Sequence, residues 1–252
     1  MKAVIIIPAR LASTRLPEKL LQEVGGKTIL RHTYERARQA KKASRVIIAA
    51  DDERLLAAAR GFGAEAVMTD PGHQSGTERA AEAARGLGAD IIVNVQGDEP
   101  EIDPQTIDRL IAAQSAFSPF ASTLVCPFPD DARLDDPARV KAVLGRRLSG
   151  SEDERGVFEA LYFTRALAPY PRDGAPDRAN YHLHIGVYAF RSDALQAFAK
   201  AAPSRLESIE RLEQLRILEM GERIVAAIVD HGAPGIDTPN DLANFRARFE
   251  KR

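Results

Sequence analysis

Three short apolar runs constrain this chain more than anything else in it: Val4-Ile5-Ile6-Ile7, Val46-Ile47-Ile48-Ala49-Ala50 and Ile91-Ile92-Val93-Asn94-Val95. None alternates with polar residues, so each predicts a strand covered on both faces, as in parallel sheets packed between helices. Helical stretches separate them. Thr28 to Ala40 places Ile29, Leu30, Thr33, Tyr34 and Ala37 at helix-like spacing after a turn at Gly25-Gly26. Asp51-Asp52 can cap a helix from Glu53 to Arg60, closed by Gly61 and Gly63, and Ala64 to Met68 reads as a short strand. An alanine-rich helix then runs through Arg85. Strand and helix in alternation define the α/β class.

Ligands of open α/β sheets bind beyond the carboxyl ends of the strands, so the loops there carry the functional argument. Pro8 ends the first strand, because proline cannot donate to a ladder. The loop behind it holds Arg10, Arg15 and Lys19, a set suited to a polyanion, most simply a triphosphate. A solvated cationic loop is the alternative. Gly26-Lys27-Thr28 imitates the end of a Walker phosphate loop, but Leu21 stands where its first glycine belongs. No Gly-x-Gly-x-x-Gly follows any strand either.

Ser75 and Glu78 have the spacing of a capping box, and the same helix start, with its free N–H groups and the Ser75 and Thr77 hydroxyls, suits a nucleotide. Beyond the third run, Gln96-Gly97-Asp98-Glu99-Pro100 puts a carboxylate just past a buried strand, a position that holds Mg²⁺ in nucleotide enzymes. The alternative is a turn aspartate bonding its own backbone. Asp103-Pro104 begins the next helix with a cap and a first-turn proline.

From about residue 117 prolines punctuate shorter strands, such as Val140 to Leu144 and Ala160 to Arg165, with a polar loop or hairpin tip from Gly145 to Gly156. Residues 1–116 thus read as the nucleotide-binding α/β part and 117–190 as a smaller α+β subdomain over the sheet's carboxyl edge. Residues 191–252 supply the helices and the last strand, Ile224 to Val229, that complete the core. His182 to Tyr188 alternates, placing His182, His184, Gly186 and Tyr188 on one face as a pocket wall for a polar small molecule. A His-x-His metal pair is the alternative, with no third ligand evident nearby. Leu206 to Met220 reads as one helix whose Glu207, Glu210 and Gln214 share a stripe, a solvated charged face on residue types alone. In Gly235-Ile236-Asp237-Thr238-Pro239, Thr238 caps the last helix and Pro239 opens it, which leaves Asp237 without a capping role.

Basic and acidic residues are nearly balanced, 35 against 36, which argues against a general nucleic-acid or anionic-membrane binder. The apolar run near the N-terminus is too short for a signal-peptide core and no later run reaches membrane-spanning length, so the expectation is a cytoplasmic protein with no membrane insertion. The one cysteine, Cys126, sits in an apolar stretch and reads as a buried, inert thiol.

Several blocks together resemble a known family. They are Pro8-Ala9-Arg10, Ala12-Ser13-Thr14-Arg15-Leu16-Pro17 with Lys19, Gln74-Ser75-Gly76-Thr77-Glu78-Arg79 and Asn94-Val95-Gln96-Gly97-Asp98-Glu99-Pro100. Ala160-Leu161-Tyr162-Phe163-Thr164-Arg165, His184-x-Gly186-x-Tyr188, Leu212 to Arg216 and Gly235-x-Asp237-Thr238-Pro239 follow in order. In this the chain resembles the 3-deoxy-manno-octulosonate (Kdo) cytidylyltransferases, the CMP-Kdo synthetases of lipopolysaccharide synthesis, over nearly its whole length.

The resemblance implies a Rossmann-like, mostly parallel sheet of the nucleotide-diphospho-sugar transferase type, on a cytoplasmic homodimer. The implied reaction joins CTP and Kdo, with Mg²⁺, to give CMP-Kdo and pyrophosphate. It implies that Pro8, Ala9, Arg10, Arg15 and Lys19 hold CTP together with Gln74, Ser75, Gly76, Thr77 and Arg79. Arg10, Lys19 and Asp98 would be catalytic, Asp98 and Asp237 would bind Mg²⁺, and Gln96, Arg165, His184, Tyr188, Glu210 and Gln214 would shape the sugar pocket. Three departures border the sugar side: Leu183 in place of a usual lysine or arginine, a longer polar excursion over 145–159, and Ala166-Leu167-Ala168-Pro169. They leave an amino-substituted Kdo analogue such as 8-amino-Kdo, or another acid sugar, as the alternative acceptor.

Overall fold

The structure, a computed structural model, describes residues 1–130, 132–148 and 155–251. Strand β1 (Ala3–Ala9) is buried throughout, as its unbroken apolar run requires. A short hairpin, β2 (Glu23–Val24) and β3 (Lys27–Thr28), turns at Gly25-Gly26 and leads into α1 (Ile29–Ala37), capped by Thr28. β4 (Ala43–Ala50), α2 (Glu53–Gly61) with Asp52 as its cap, β5 (Glu65–Met68), α3 (Gly76–Ala83) and β6 (Ile91–Asn94) follow as expected. α4 (Pro104–Phe117) begins after Asp103, whose Oδ1 accepts from the Gln105 N–H at 3.0 Å.

Pro8 corrects one expectation: it does not end β1 but pairs with Ala49 inside the strand. Successive residues of a strand bond to opposite neighbours. Ile6 faces β6, where its carbonyl accepts from Val95, and Ala9 faces the β4 side, where its carbonyl accepts from Asp51. Pro8 shares the side of Ile6. The β6 ladder has ended there with the pair Ile6–Asn94, so the missing N–H deprives no partner.

Two compact units divide the chain: Met1–Ile111 with the stretch from Ala233 onward, and Ala112–Gly232. In the first unit the strands lie in the order β5-β4-β1-β6, all parallel. In the second, β7 (Ala121–Pro127), β8 (Lys141–Leu148), β9 (Val157–Thr164) and β10 (His182–Arg191) precede helices α5 (Ser192–Lys200), α6 (Arg205–Glu210) and α7 (Gln214–Glu219) and strand β11 (Ile224–Ile228). Their order is β10-β7-β11-β9-β8, and β8 pairs with β10 as well, so the sheet curls back on itself. Only β7 and β11 run parallel within it. β8 and β9 form an antiparallel pair out to Leu148 and Val157, and the middle of the polar excursion, 149–154, lies outside the described residues.

The single helix expected over Leu206 to Met220 is two. Arg211 takes a left-handed conformation (φ 54°) that ends α6, and α7 starts afresh. Nor is its acidic stripe a solvated face. Glu207 closes the Ser204 capping box and grips the buried Arg216 through both carboxylate oxygens, at 2.7 and 2.5 Å. The chain then returns to the first unit as α8 (Pro239–Phe249), with a reciprocal capping box between Thr238 and Asp241.

Candidate active site

Past Ala9 the chain leaves the sheet, and its loop is pinned at once. The Leu11 N–H donates to Asp51 Oδ1 at 2.9 Å, directly beyond β4. The other oxygen of Asp51 faces Arg79 Nη2 at 3.3 Å, and Arg79 is fully buried. Arg79 also donates to Thr69 Oγ1 at 2.6 Å and to the Asp70 carbonyl at 3.1 Å. Burial depresses its pKa, the Asp51 charge opposes that, and the nearby Arg10 adds to it. Arg10 itself is exposed and donates to the Gln74 carbonyl at 3.2 Å, so the first loop and the loop before α3 are tied together.

Lys19 is aimed by an unusual backbone. Glu18 lies in the left-handed region (φ 49°, ψ 35°), a conformation that costs a β-carbon residue roughly 1–3 kcal/mol and tends to mark functional sites. It feeds a single 3₁₀ turn, Lys19–Leu21, from which Lys19 Nζ donates to Asp98 Oδ2 at 2.5 Å and to Asp237 Oδ1 at 2.9 Å. Arg15 Nη2 reaches the other oxygen of Asp237 at 3.1 Å. Burial alone would lower the Lys19 pKa, but Asp98 and then Asp237 more than offset it, leaving the ammonium above its ordinary value.

The two carboxylates meet because the Ile236 N–H donates to the Asp98 carbonyl at 2.9 Å, joining the chain before α8 to the loop after β6. Asp241, not Asp237, completes the helix cap, so the Asp237 side chain is left for the cations. Gly97 permits the approach: a β-carbon there would stand 3.0 Å from the Pro8 carbonyl oxygen and 3.2 Å from Leu20. Thr33 Oγ1 secures the same turn by donating to the Gly97 carbonyl at 2.9 Å.

Of these side chains, Arg10, Lys19 and Asp98 border a cavity of about 270 Å³, which Pro8 and Gln96 also line. Gln96, assigned to the sugar from sequence, therefore shares a wall with the cations Arg10 and Lys19. Ser13 and Thr14 also line it, and the sequence reading attached no role to them. The start of α3 is less direct than expected. Ser75 caps the helix by accepting from the Glu78 N–H at 3.1 Å, but Glu78 returns to the Gln74 N–H at 2.9 Å and not to Ser75, so the box is only half made. The Thr77 hydroxyl is turned inward: Thr77 is fully buried and accepts from Asn94 Nδ2 at 3.1 Å. Buried Thr77 and Arg79 hold the loop in place, while Gln74 is exposed.

Asp98 and Asp237 suit a hard divalent cation. Mg²⁺ keeps several waters and is held by one or two carboxylates, with substrate phosphates completing its octahedron. Among the described residues no group of three or more His, Cys, Asp or Glu side chains could hold a metal, so phosphate oxygens would have to complete the shell. The Lys19 ammonium, seated between the two carboxylates, shows that this point attracts positive charge. Next to them Glu99 is buried, and its Oε2 has no partner among the described residues. Burial first, and the Asp98 charge second, push its pKa up to about 8.

In the second unit, β10 brings His184 and Tyr188 together on one face, ring centroids 5.6 Å apart, with Phe163 of β9 against His184 at 4.8 Å. The strand is irregular between Ile185 and Tyr188, and Thr123 fills the irregularity. Its hydroxyl lies 3.0 Å from the Val187 carbonyl, to which it donates, so the His184 Nε2 at 2.9 Å is the protonated nitrogen. Burial drives the His184 pKa down to about 3 and that of Tyr188 well up, so both are neutral through the physiological range. Glu210 accepts from Thr164 Oγ1 at 2.7 Å and from the Arg165 N–H at 2.9 Å.

The Arg165 guanidinium donates to the carbonyls of Glu210 at 2.7 Å and Pro137 at 2.8 Å, a structural task that the sequence did not disclose. Fully buried Lys141 does the same from below, donating to the carbonyls of Asp136, Arg139 and Arg165 at 2.8–2.9 Å. Gln214 is buried with its Nε2 unpartnered among the described residues. Two of the sequence departures, Leu183 and Leu167, pack against the same small core of Phe128, Ala132 and Tyr181.

Comparison with known proteins identifies the family of the chain. The family model described as cytidylyltransferase matches residues 4–224. The 3-deoxy-manno-octulosonate cytidylyltransferase of Rhodopirellula baltica is 48% identical, with the whole of both chains covered. Its counterpart in Chlorobaculum tepidum is 47% identical over all of this chain and 99% of its own. Among solved structures, a CMP:2-keto-3-deoxy-manno-octonic acid synthetase complexed with CTP matches with a TM-score of 0.90 at 39% identity, covering 100% of this chain and 99% of the other. A 4-diphosphocytidyl-2C-methyl-D-erythritol synthase from Anaerococcus prevotii, at 14% identity and a TM-score of 0.65, shares the fold. The chain belongs to the cytidylyltransferase family and, within it, to the 3-deoxy-manno-octulosonate cytidylyltransferases.

Proposed function

We infer that this protein transfers CMP from CTP to Kdo, releasing pyrophosphate. The full-length similarity to Kdo cytidylyltransferases carries the reading, and it favours Kdo over an amino-substituted analogue. A hydroxyl oxygen of the sugar attacks the α-phosphorus in line, an O–P bond forms, the bond from the α-phosphorus to the bridging oxygen breaks, and the hydroxyl proton passes to solvent. No covalent intermediate with the protein is needed, so catalysis is positioning plus stabilisation of charge. Arg10 and Lys19 line the cavity and supply that charge at the phosphates, with Arg15 beside them. Gln96 in the same cavity, and His184, Tyr188, Arg165, Glu210 and Gln214 in the second unit, are the residues we assign to the sugar.

The reaction as we read it depends on Mg²⁺, held by Asp98 and Asp237. When bound, that ion neutralises phosphate charge and lowers the pKa of the attacking hydroxyl. The pair of carboxylates joined through Ile236 supports this assignment. The same reading includes a homodimer and a cytoplasmic site of action. Its support is the family membership, and no helix among the described residues is long and apolar enough to cross a membrane.

The test is pyrophosphate release from each nucleoside triphosphate, with and without Kdo and with and without Mg²⁺. Kdo-dependent release from CTP alone is expected, and its absence would overturn the reading. Asp98→Asn is expected to abolish turnover in a folded protein. Equilibrium sedimentation reads the homodimer directly.

A further inference from the structure

Lys19 Nζ sits between Asp98 Oδ2 and Asp237 Oδ1, 2.5 and 2.9 Å away, and Arg15 takes the remaining oxygen of Asp237 at 3.1 Å. These are the two carboxylates assigned above to Mg²⁺. From this arrangement we propose that Lys19 is a tethered occupant of the metal position: it shuts divalent metal out of the nucleotide-free protein and yields the carboxylates only when CTP phosphates draw it away. The inference rests on the metal reading given above.

The argument is one of space and charge. Mg²⁺ needs carboxylate oxygens at about 2.0–2.1 Å and tolerates little distortion. An ammonium nitrogen bonded to both oxygens fills the volume between them, so the metal and the lysine cannot share that point. A divalent ion brought beside an ammonium also meets like charge, in a site where Lys19 is only 12% exposed and solvent screening is reduced. Two carboxylates opposite Lys19 and Arg15 are already neutralised, which leaves little net attraction for free metal.

A triphosphate reverses this balance. Lys19 lines the cavity together with Arg10, Ser13 and Thr14, so phosphate oxygens lodged there give its ammonium new anionic partners. Once it turns to them, Asp98 and Asp237 are free, and the same phosphates complete the metal's octahedron. Lys19 thus has two roles, phosphate ligand with nucleotide bound and placeholder without it. The order of binding follows, with metal entering with or after CTP. By linkage, the factor by which CTP tightens metal binding is the factor by which metal tightens CTP binding, and Lys19 sets part of it.

The experiment uses Mn²⁺ as the probe, with its binding to the whole protein followed by electron paramagnetic resonance, first without nucleotide and then with CTP in the absence of sugar. Lys19→Met keeps most of the length of the side chain and removes its charge; Lys19→Gln is carried alongside as a polar second variant. The wild type is expected to bind Mn²⁺ weakly alone and at least tenfold more tightly with CTP. Lys19→Met and Lys19→Gln are expected to bind Mn²⁺ alone at least tenfold more tightly than the wild type, and adding Asp98→Asn to either is expected to abolish the gain. If both lysine variants bind free Mn²⁺ no better than the wild type, while CTP-bound wild type still binds it through Asp98, the placeholder role is overturned and the metal site stands. If Mn²⁺ binding with CTP is indifferent to both Asp98→Asn and Asp237→Asn, the metal assignment falls and the placeholder role falls with it.

Discussion

Replacing Asp51 by alanine tests how the loop after β1, assigned above to CTP, is held. Arg79 is fully buried, and Asp51, 3.3 Å away, is the one carboxylate paired with it among the described residues. At that separation, with an effective dielectric near 20, the attraction is about 5 kcal/mol before desolvation is deducted. Stripping one partner from a buried pair leaves an uncompensated charge and costs about 3–5 kcal/mol. Thr69 and the Asp70 carbonyl still solvate Arg79, so the lower end of that range applies. The Leu11 N–H loses its acceptor in the same stroke.

Asp51→Ala is therefore expected to lower unfolding stability in urea by about 3 kcal/mol and to raise KM for CTP while leaving KM for the sugar unchanged. Arg79→Met in the Asp51→Ala background should recover much of the stability, a coupling of about 2 kcal/mol in a double-mutant cycle, because the charge stranded by the first change is gone. A loss below about 1 kcal/mol in Asp51→Ala, or additive single effects, would refute the account.

Three further outcomes follow from the geometry. Glu99 has a folded pKa of about 8 against an ordinary 4.5, so the folded state holds the extra proton between those values. Its contribution is fully present below pH 4.5 and is lost as pH rises through 8, so metal-free Glu99→Gln should gain on the wild type between pH 5 and pH 8.5, by at most about 5 kcal/mol; parallel stability curves in urea would refute this. Gly97→Ala forces a methyl to 3.0 Å from the Pro8 carbonyl and should cost about 1–3 kcal/mol with a drop in turnover, both read on the purified variant. His184, with its pKa near 3, should show nitrogen-15 shifts of a neutral ring protonated at Nε2 from pH 5 to pH 8, and a titration inside that range would contradict its burial.

Much of the first unit was legible because its information is local. Runs such as Val4 to Ile7 cannot be solvated on either face, and Asp52, Ser75 and Thr238 announce helix starts through side chains that bond the next turn. Pro8 misled because whether a missing N–H matters depends on where the neighbouring strand stops, a fact of β6 and not of β1. The break at Arg211 left no trace because left-handed arginine has no sequence signal, and nothing local told Glu207 that its partner would be Arg216.

The candidate site divides the same way. Lys19, Asp98 and Asp237 could each be singled out as residues, but their joint ion pairing comes from strand and helix ends meeting across long stretches of sequence. For a different reason the sequence offers Asp51 only as a helix cap beside Asp52, and gives Thr123 and Lys141 no role. These three act on backbone groups and on other side chains, and no motif marks an acceptor for Leu11 or a donor to the Arg165 carbonyl.

Because the first unit takes in the chain from Ala233 onward, the protein has a built-in order of manufacture. A chain emerging from the ribosome can pair β1, β4, β5 and β6 early, yet its Lys19 then meets only one of its two carboxylates. Asp237 and the Ile236 N–H that seats it beside Asp98 emerge more than a hundred residues later, after the whole second unit has been synthesised. On the reading proposed above, a half-made chain, or one that stops short of residue 233, therefore has Asp98 and the cations assigned to CTP but not the second carboxylate assigned to Mg²⁺, and is expected to hold nucleotide without turning it over.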